Sequence, residues 1–295
     1  MIAARPAAII PSGARDLRPG VPTLNAFFMT VFQAVVLGLV QGLAEFLPIS
    51  SSAHLVLTPW VFGWSDPGLA FDVALHVGTL VAVLWYFRAE WVRLTRSAIA
   101  VLRHRRADTE DTQRFLFLVI ATIPAAIGGV LLEDYAETTF RSPRLLAVTL
   151  MVMGVVLWAA DRFAPQDRPL ARMRWRDALL IGLAQVLALV PGVSRSGSTM
   201  TAGRALRFDR QSAAVFSFLM SMPVTAAAAL LKVPDLLRSE GVTAPLIAGI
   251  ISAAVSSWLA IAVLLRYVAR HSFGVFALYR LALGVVILAL LATRG

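Results

Sequence analysis

The chain has 295 residues, of which 58% are hydrophobic, and its mean hydropathy is +0.76. Soluble domains contain about 45–50% apolar residues, so this composition indicates an all-α polytopic membrane protein. The net charge of +10 does not predict nucleic-acid binding, because the arginines lie in short segments between apolar runs, and the absence of cysteine excludes a disulfide framework and a thiol nucleophile.

Residues 1–28 differ from the rest of the chain, because four prolines punctuate them and their only apolar run is too short for a signal-peptide core. We interpret them as a disordered extension, or as sequence upstream of a functional start at Met29. A helix predicted over 32–47 ends at Pro48, and a short apolar piece follows at 55–62. This pair is too broken for one span and favours a re-entrant helix pair.

Six later segments are long and apolar enough to cross a membrane. A second broken pair, over 178–190 and 198–206, lies between the third and fourth of them. The Phe-Asp pairs at 71–72 and 208–209 each begin a long apolar helix. The predicted spans are 71–87, 115–132, 145–160, 213–231, 245–265 and 273–292.

This topology places every arginine-rich loop on one side of the membrane. The near-neutral loops at 133–144 and 232–240 fall on the other side. The positive-inside rule makes the basic side cytoplasmic, so the first broken pair enters from outside and the second from the cytoplasm. The basic loops are 88–114, 161–176 and 266–272.

Opposite entry of two similar broken pairs is what an inverted-topology repeat requires, with the site between the repeats. We therefore predict one membrane-embedded domain over 29–295. Repeat one covers about 29–160 and repeat two about 177–295.

The first break carries an acid, serines and a histidine inside an apolar run. Glu45 could be a packing carboxylate or a partner of Arg195, but its depth favours a metal ligand or general base. Gln41, one turn earlier, could satisfy backbone groups or ligate a cation. The serines at 50–52 could cap a helix. Ser51 and His54 are three apart, so we expect imidazole and hydroxyl to meet as proton acceptor and nucleophile.

The second break, residues 191–199, reads PGVSRSGST. Its glycines permit close backbone approach, the following helix offers free amides, and Arg195 offers a planar fork for phosphate. We predict a phosphate-binding site here. The alternative is a serine-capped helix break with Arg195 paired to Glu45.

Other polar residues are assigned structural roles. Asp72 and Asp209 are predicted helix caps. His76 is predicted to be a packed histidine, although it could border the site. Arg280 is predicted to extend to the membrane interface. His104 and His271 are predicted to be solvated in basic loops.

Two motifs carry a family resemblance. Residues 41–55, which read QGLAEFLPISSSAHL, and residues 191–199 resemble the signature motifs of the undecaprenyl-diphosphate phosphatase family, the bacitracin-resistance membrane proteins. The likeness runs from about Met29 to the C-terminus. It implies a bacterial inner-membrane hydrolase that removes the terminal phosphate of the lipid undecaprenyl diphosphate during peptidoglycan synthesis. It also implies a divalent cation, Mg²⁺ or Ca²⁺, and a site facing the periplasm or outside.

Carried over by position, the resemblance implies catalytic roles for four residues and cation binding by Gln41 and Glu45. Many relatives have glutamate at the position of Gln41, so the resemblance does not extend to a pair of carboxylates there. The catalytic residues are Glu45, Ser51, His54 and Arg195, and the phosphate-binding residues are Ser50, Ser194, Arg195, Ser196 and Thr199.

Two other classes of protein fit part of the pattern. A carrier of lipid phosphates uses inverted repeats around an anion site but needs no proton-transfer group. A cation channel fits poorly, because a single Glu45 next to Arg195 makes a poor cation path. Whether the nucleophile is Ser51 or water, and whether the chain forms a homodimer, stay open.

Overall fold

The computed structural model describes residues 29–104, 109–137 and 142–294, and in these ranges every long element is a helix. The proposed extension at 1–28 lies outside the described residues. Two short 3₁₀ turns, Leu170–Arg172 and Leu187–Leu189, flank α7. The helices are α1 Val31–Phe46, α2 Ser51–Phe62, α3 Gly68–Tyr86, α4 Arg88–His104, α5 Glu110–Glu137, α6 Pro143–Phe163, α7 Trp175–Val186, α8 Arg195–Ala205, α9 Arg210–Glu240, α10 Ala244–Val268 and α11 Gly274–Arg294.

The six predicted spans are confirmed as six helices long and apolar enough to cross a membrane, namely α3, α5, α6, α9, α10 and α11. Two segments that the sequence predicts to be loops are helical. Residues 88–104 form α4, and residues 232–240 belong to the end of α9. Arginine, glutamate and alanine are good helix formers, so charged stretches that lack a long apolar run can still be helical.

The two predicted breaks are present, and the helices around them are too short to span. α1 has 16 residues and α2 has 12, while α7 has 12 and α8 has 11. A 16-residue helix is about 24 Å long, against a hydrocarbon core of about 30 Å. Their placement as re-entrant pairs stays a prediction.

The same turn is built twice, once before α2 and once before α8. Ser50 and Ser194 are the N-cap residues, with φ of 75° and 71°, which few residues other than glycine adopt. Each serine hydroxyl accepts from the amide three residues later, in Ala53 and Gly197. Each also lies 3.1–3.2 Å from the hydroxyl of the serine two residues later. This correspondence supports the predicted repeats.

The two halves interlock through close glycine contacts. α1 packs on α10 of the other half, and α7 packs on α5. A Cβ atom on Gly38 of α1 would lie 2.3 Å from the carbonyl oxygen of Gly249, and one on Gly182 of α7 would lie 2.5 Å from that of Ala121. The first helix of each broken pair, α1 or α7, is therefore fixed against a span of the opposite half. This packing brings the two breaks to the centre of the protein.

We expect Gly38→Ala to destabilise the protein by about 1–3 kcal/mol, because the added methyl group meets backbone that cannot move aside. Thermal unfolding in detergent, followed by circular dichroism, measures this. Gly129→Ala is the matched control, since nothing lies within 4 Å of its Cβ position in α5. Equal melting temperatures for the two variants would contradict the close packing.

Candidate active site

The carboxylate of Glu45, at the end of α1, joins the two breaks. Its Oε1 accepts a hydrogen bond of 2.7 Å from Nη2 of Arg195. Its Oε2 accepts from the hydroxyl of Ser51 at 2.6 Å and from Nε2 of Gln41 at 3.0 Å. The Glu45 side chain is only 6% exposed. A buried acid, a hydroxyl and a guanidinium thus lie together where the two breaks meet.

Arg195 has donor capacity beyond its ion pair. It is the first residue of α8, and its Nη1 is buried without a hydrogen-bond partner in the described part of the chain. The first amides of a helix have no intrahelical acceptor, and this end of the helix dipole is positive. The unpartnered Nη1 of Arg195, at the positive end of the α8 dipole, is therefore suited to an anion.

His54 does not pair with Ser51, so the predicted pairing is wrong. Its Nδ1 lies 2.7 Å from the carbonyl oxygen of Ser50, and its Nε2 lies 2.7 Å from the hydroxyl of Tyr279 on α11. A carbonyl only accepts, so Nδ1 donates, and in the neutral ring Nε2 accepts from the tyrosine. The turn after α1 places the Ser51 hydroxyl on Glu45 instead.

His76 of α3 belongs to the site, which corrects its assignment as a packed histidine. Its Nε2 lies 3.4 Å from Oε2 of Glu45, and its Nδ1 lies 2.7 Å from the carbonyl oxygen of Asp72. The predicted cap role of Asp72 is also wrong. α3 begins earlier, at Gly68, whose amide donates to the Asp66 carboxylate at 2.8 Å. The second predicted cap is confirmed, since Asp209 accepts from the amide of Ser212.

Arg280 does not extend to the membrane interface, because it is completely buried. Its guanidinium donates to the backbone of both breaks and of α6, the helix against which α11 packs. A single cation thereby fixes the two turns relative to each other. The four accepting carbonyls belong to Pro48 at 3.1 Å, Gly192 at 2.7 Å, Val193 at 2.9 Å and Leu150 at 3.1 Å.

The hydroxyls predicted to bind phosphate are mostly engaged within the protein. Ser50 and Ser194 cap helices, as the capping interpretation holds. Ser196 donates to the carbonyl of Leu47 at 3.0 Å. Thr199 donates to the carbonyl of Arg195 and lies 2.7 Å from the hydroxyl of Ser217. Phosphate contacts by these hydroxyls stay a prediction and require these bonds to be exchanged.

The residues at Glu45 fit a hard cation with few protein ligands. Oε1 of Gln41 is buried and has no hydrogen-bond partner among the described residues. Together with the Glu45 carboxylate and the Ser51 hydroxyl it offers oxygen donors, which Mg²⁺ and Ca²⁺ prefer. Within the described ranges no group of three or more histidine, aspartate or glutamate residues could hold a metal ion. Water and substrate oxygens would complete the coordination, as is usual for Mg²⁺.

Comparison with known proteins gives one family and many relatives. The family model described as bacitracin resistance protein BacA matches residues 34–286. A protein of Gemmatimonas aurantiaca named undecaprenyl-diphosphatase is 64% identical over 90% of this chain and all of its own length. Proteins with the same name from Moorella thermoacetica and Pelotomaculum thermopropionicum are 52% and 50% identical over 90% of this chain and 100% and 98% of their own.

Proposed function

The chain belongs to the bacitracin resistance protein BacA family, and we propose that the meeting point of its two helix breaks is the active site of an undecaprenyl-diphosphatase. The enzyme removes the terminal phosphate of undecaprenyl diphosphate, which supports cell-wall synthesis and bacitracin resistance. One observation carries the site assignment: Glu45 binds the hydroxyl of Ser51 on one oxygen and the guanidinium of Arg195 on the other.

Glu45 acts as the general base in this proposal. The Ser51 hydroxyl already donates to Oε2 at 2.6 Å, so the carboxylate is placed to take a proton from the attacking oxygen. That oxygen is the hydroxyl of Ser51 or a water held beside it. A new bond forms to the terminal phosphorus while the bond to the bridging oxygen breaks, and undecaprenyl phosphate leaves. If Ser51 attacks, water then hydrolyses the phosphoserine.

Arg195 and the start of α8 hold the terminal phosphate. The unused Nη1 supplies a donor, and the α8 dipole a positive end, where charge spreads over the phosphate oxygens in the transition state. Arg195 exchanges its ion pair with Glu45 for the phosphate when substrate binds. Arg280 keeps the two turns in register while Arg195 exchanges partners.

A divalent cation, when bound, neutralises charge on the phosphate oxygens. Gln41 and Glu45 are the residues proposed to hold it. We expect Gln41→Ala to weaken cation binding by roughly tenfold or more, the scale of loss when a supporting group of a metal site is removed. Isothermal titration with Mg²⁺ and with Ca²⁺ measures this without substrate.

Gln185 provides the matched control for that measurement. It occupies the position in α7 that corresponds to Gln41 in α1, and it is buried with its amide atoms unpartnered among the described residues. Gln185→Ala should leave cation affinity unchanged. If both variants bind the cations as wild type does, Gln41 is not a ligand.

His54 moves protons to or from the reacting oxygens, with the hydroxyl of Tyr279 as its neighbour. We expect His54→Ala to lower phosphate release by a factor of roughly 10²–10⁴. A carrier built on the same anion site would keep moving lipid between leaflets in this variant. Full phosphate release by His54→Ala would remove the histidine from the reaction.

Release of inorganic phosphate from undecaprenyl diphosphate by the purified protein in detergent tests the function. We expect turnover that stops on addition of a chelator and that falls by about a hundredfold or more in Glu45→Ala, His54→Ala and Arg195→Ala. Phosphopeptide mapping after acid quenching distinguishes a Ser51 nucleophile from water. Absence of phosphate release by folded, cation-loaded protein would refute the proposed activity.

The chain is a multi-pass membrane protein, and we propose the bacterial inner membrane with the site open to the periplasm. The arginine-rich segments between the spans support this orientation, since basic segments next to a span stay in the cytoplasm. Membrane lipid and the lipid substrate are the proposed partners, without nucleic acid. The mass of the protein in detergent measures whether it forms a homodimer.

A further inference from the structure

A cleft lined by arginines lies between the start of α7 and the turn that follows α8, away from the proposed reaction. Its volume is about 650 Å³. Five arginines outnumber two aspartates along its wall. The residues that line it are Asp167, Arg168, Arg172, Met173, Arg174, Arg176, Asp177 and Arg207.

Both aspartates of the cleft are already neutralised. Asp177 accepts two hydrogen bonds from the guanidinium of Arg168, at 2.6 and 3.2 Å. Asp167 is paired with Arg207. The hydrogen bond from Arg207 lowers the pKa of Asp167, as expected for a paired carboxylate. Neither acid is left to balance another cation.

Arg172, Arg174 and Arg176 therefore carry uncompensated charge. All three are exposed, and no carboxylate in the described part of the chain lies within 4.0 Å of their guanidinium groups. Three like charges around one cleft repel each other, and an anion placed between them relieves that repulsion. Arginine guanidinium groups suit phosphate oxygens in particular, through paired hydrogen bonds.

The wall of the cleft is held in place before any ligand binds. The guanidinium of Arg168 donates to the carbonyls of Leu206 and Arg172 at 3.0 and 3.1 Å and lies 4.6 Å from the ring of Phe208. The backbone of Arg168 bonds to that of Arg207 and Asp209. A preformed site loses less conformational entropy on binding than a loose loop does.

A partly apolar cleft of about 530 Å³ adjoins the basic one, shares Met173, Arg174 and Arg176 with it and also contains Gln113. It adds Phe117, from the span α5, and Trp175, whose ring lies 5.3 Å from the guanidinium of Arg176. Trp175 begins the short helix α7 and lines this cleft with Phe117, and a tryptophan that is 53% exposed beside a span is typical of the membrane–water interface. The combined surface thus offers cations for a phosphate and an apolar wall for a hydrocarbon chain.

We propose that this cleft binds the phosphate headgroup of an anionic phospholipid from the adjacent leaflet, with the start of an acyl chain against Phe117 and Trp175. The apolar cleft argues for a lipid over a free phosphate compound, which has no group to fill it. The site is separate from the proposed reaction, so its occupancy does not depend on catalysis.

Binding of phosphatidylglycerol and phosphatidylcholine to the full chain in neutral detergent, followed by native mass spectrometry, tests the proposal. We expect preferential binding of phosphatidylglycerol. The double variant Arg172→Gln, Arg176→Gln should bind it roughly thirtyfold more weakly, since each basic residue near an anionic lipid contributes about a factor of five. Arg174 is kept, because it is the N-cap residue of α7.

The double variant Arg96→Gln, Arg103→Gln is the matched control. It removes the same charge from exposed positions of α4 that line neither cleft. We expect it to bind phosphatidylglycerol as wild type does. An equal loss in both double variants would reduce the effect to general charge and overturn the site. Displacement of the lipid by millimolar inorganic phosphate would overturn the assignment of a lipid ligand. Binding is measured without substrate, so these outcomes are independent of the proposed activity.

Discussion

Glu45→Gln is expected to lower the rate of phosphate release from undecaprenyl diphosphate by roughly a thousandfold, within the range known for loss of a general base. Glutamine keeps the shape of the side chain, but it cannot take the proton that Ser51 now donates to Oε2. It also removes the negative charge that a cation at this site requires. Steady-state phosphate release at saturating Mg²⁺ or Ca²⁺ measures the loss.

The control for Glu45→Gln exchanges two residues that lie one helical turn apart. The double variant Gln41→Glu, Glu45→Gln keeps composition and net charge and moves the carboxylate by one helical turn. We expect it to stay inactive, because the displaced carboxylate no longer contacts both Ser51 and Arg195 as Glu45 does. Near-normal turnover by the swapped protein would mean that only the charge matters and that Glu45 is not the base.

Arg195→Ala is expected to lower turnover by about a thousandfold or more, the scale of an arginine that stabilises a transferring phosphate. The variant loses the guanidinium that faces Glu45 and the buried Nη1 that has no partner in the described ranges. Arg195→Lys keeps the charge but not the planar fork, so we expect it to recover only part of the rate. Both are measured by the same release assay.

Chemical rescue separates a direct role of Arg195 from a structural one. Added guanidinium ions should restore part of the turnover of Arg195→Ala and none of that of Arg195→Lys, whose ammonium group occupies the space. Thermal unfolding of each variant records any loss of fold. An Arg195→Ala protein that turns over within a factor of ten of wild type would exclude the arginine from phosphate binding.

The order of helices and the two breaks followed from the sequence, because long apolar runs and the prolines at 48 and 191 are local signals. The sequence indicated the pairing of Glu45 with Arg195 only as the alternative to the predicted cation and phosphate roles, and the structure contains that ion pair. α4 was missed because its residues form a helix without a long apolar run.

The remaining site residues could not be found by local reading. His76 reaches Glu45 because α3 packs beside the first broken pair, which is a tertiary contact. Tyr279 and Arg280 approach the breaks from α11, more than two hundred residues away from His54 and Pro48. The sequence signal for this approach was Arg280 itself, because an arginine within a span is rare unless it is paired inside the protein. Ser51 and His54 do share α2, but they do not pair, because Glu45 takes the Ser51 hydroxyl while the Ser50 carbonyl and Tyr279 engage the two ring nitrogens of His54.

The buried guanidinium of Arg280 restricts how the molecule can move. It holds carbonyl oxygens from both turns at once, so neither half can rock against the other without breaking charged hydrogen bonds at a completely buried position. Hydrolysis does not require the two halves to move in this way, whereas transport by alternating access does. A disulfide introduced between the two halves should therefore leave turnover intact. The same disulfide would stop a carrier that works by rocking.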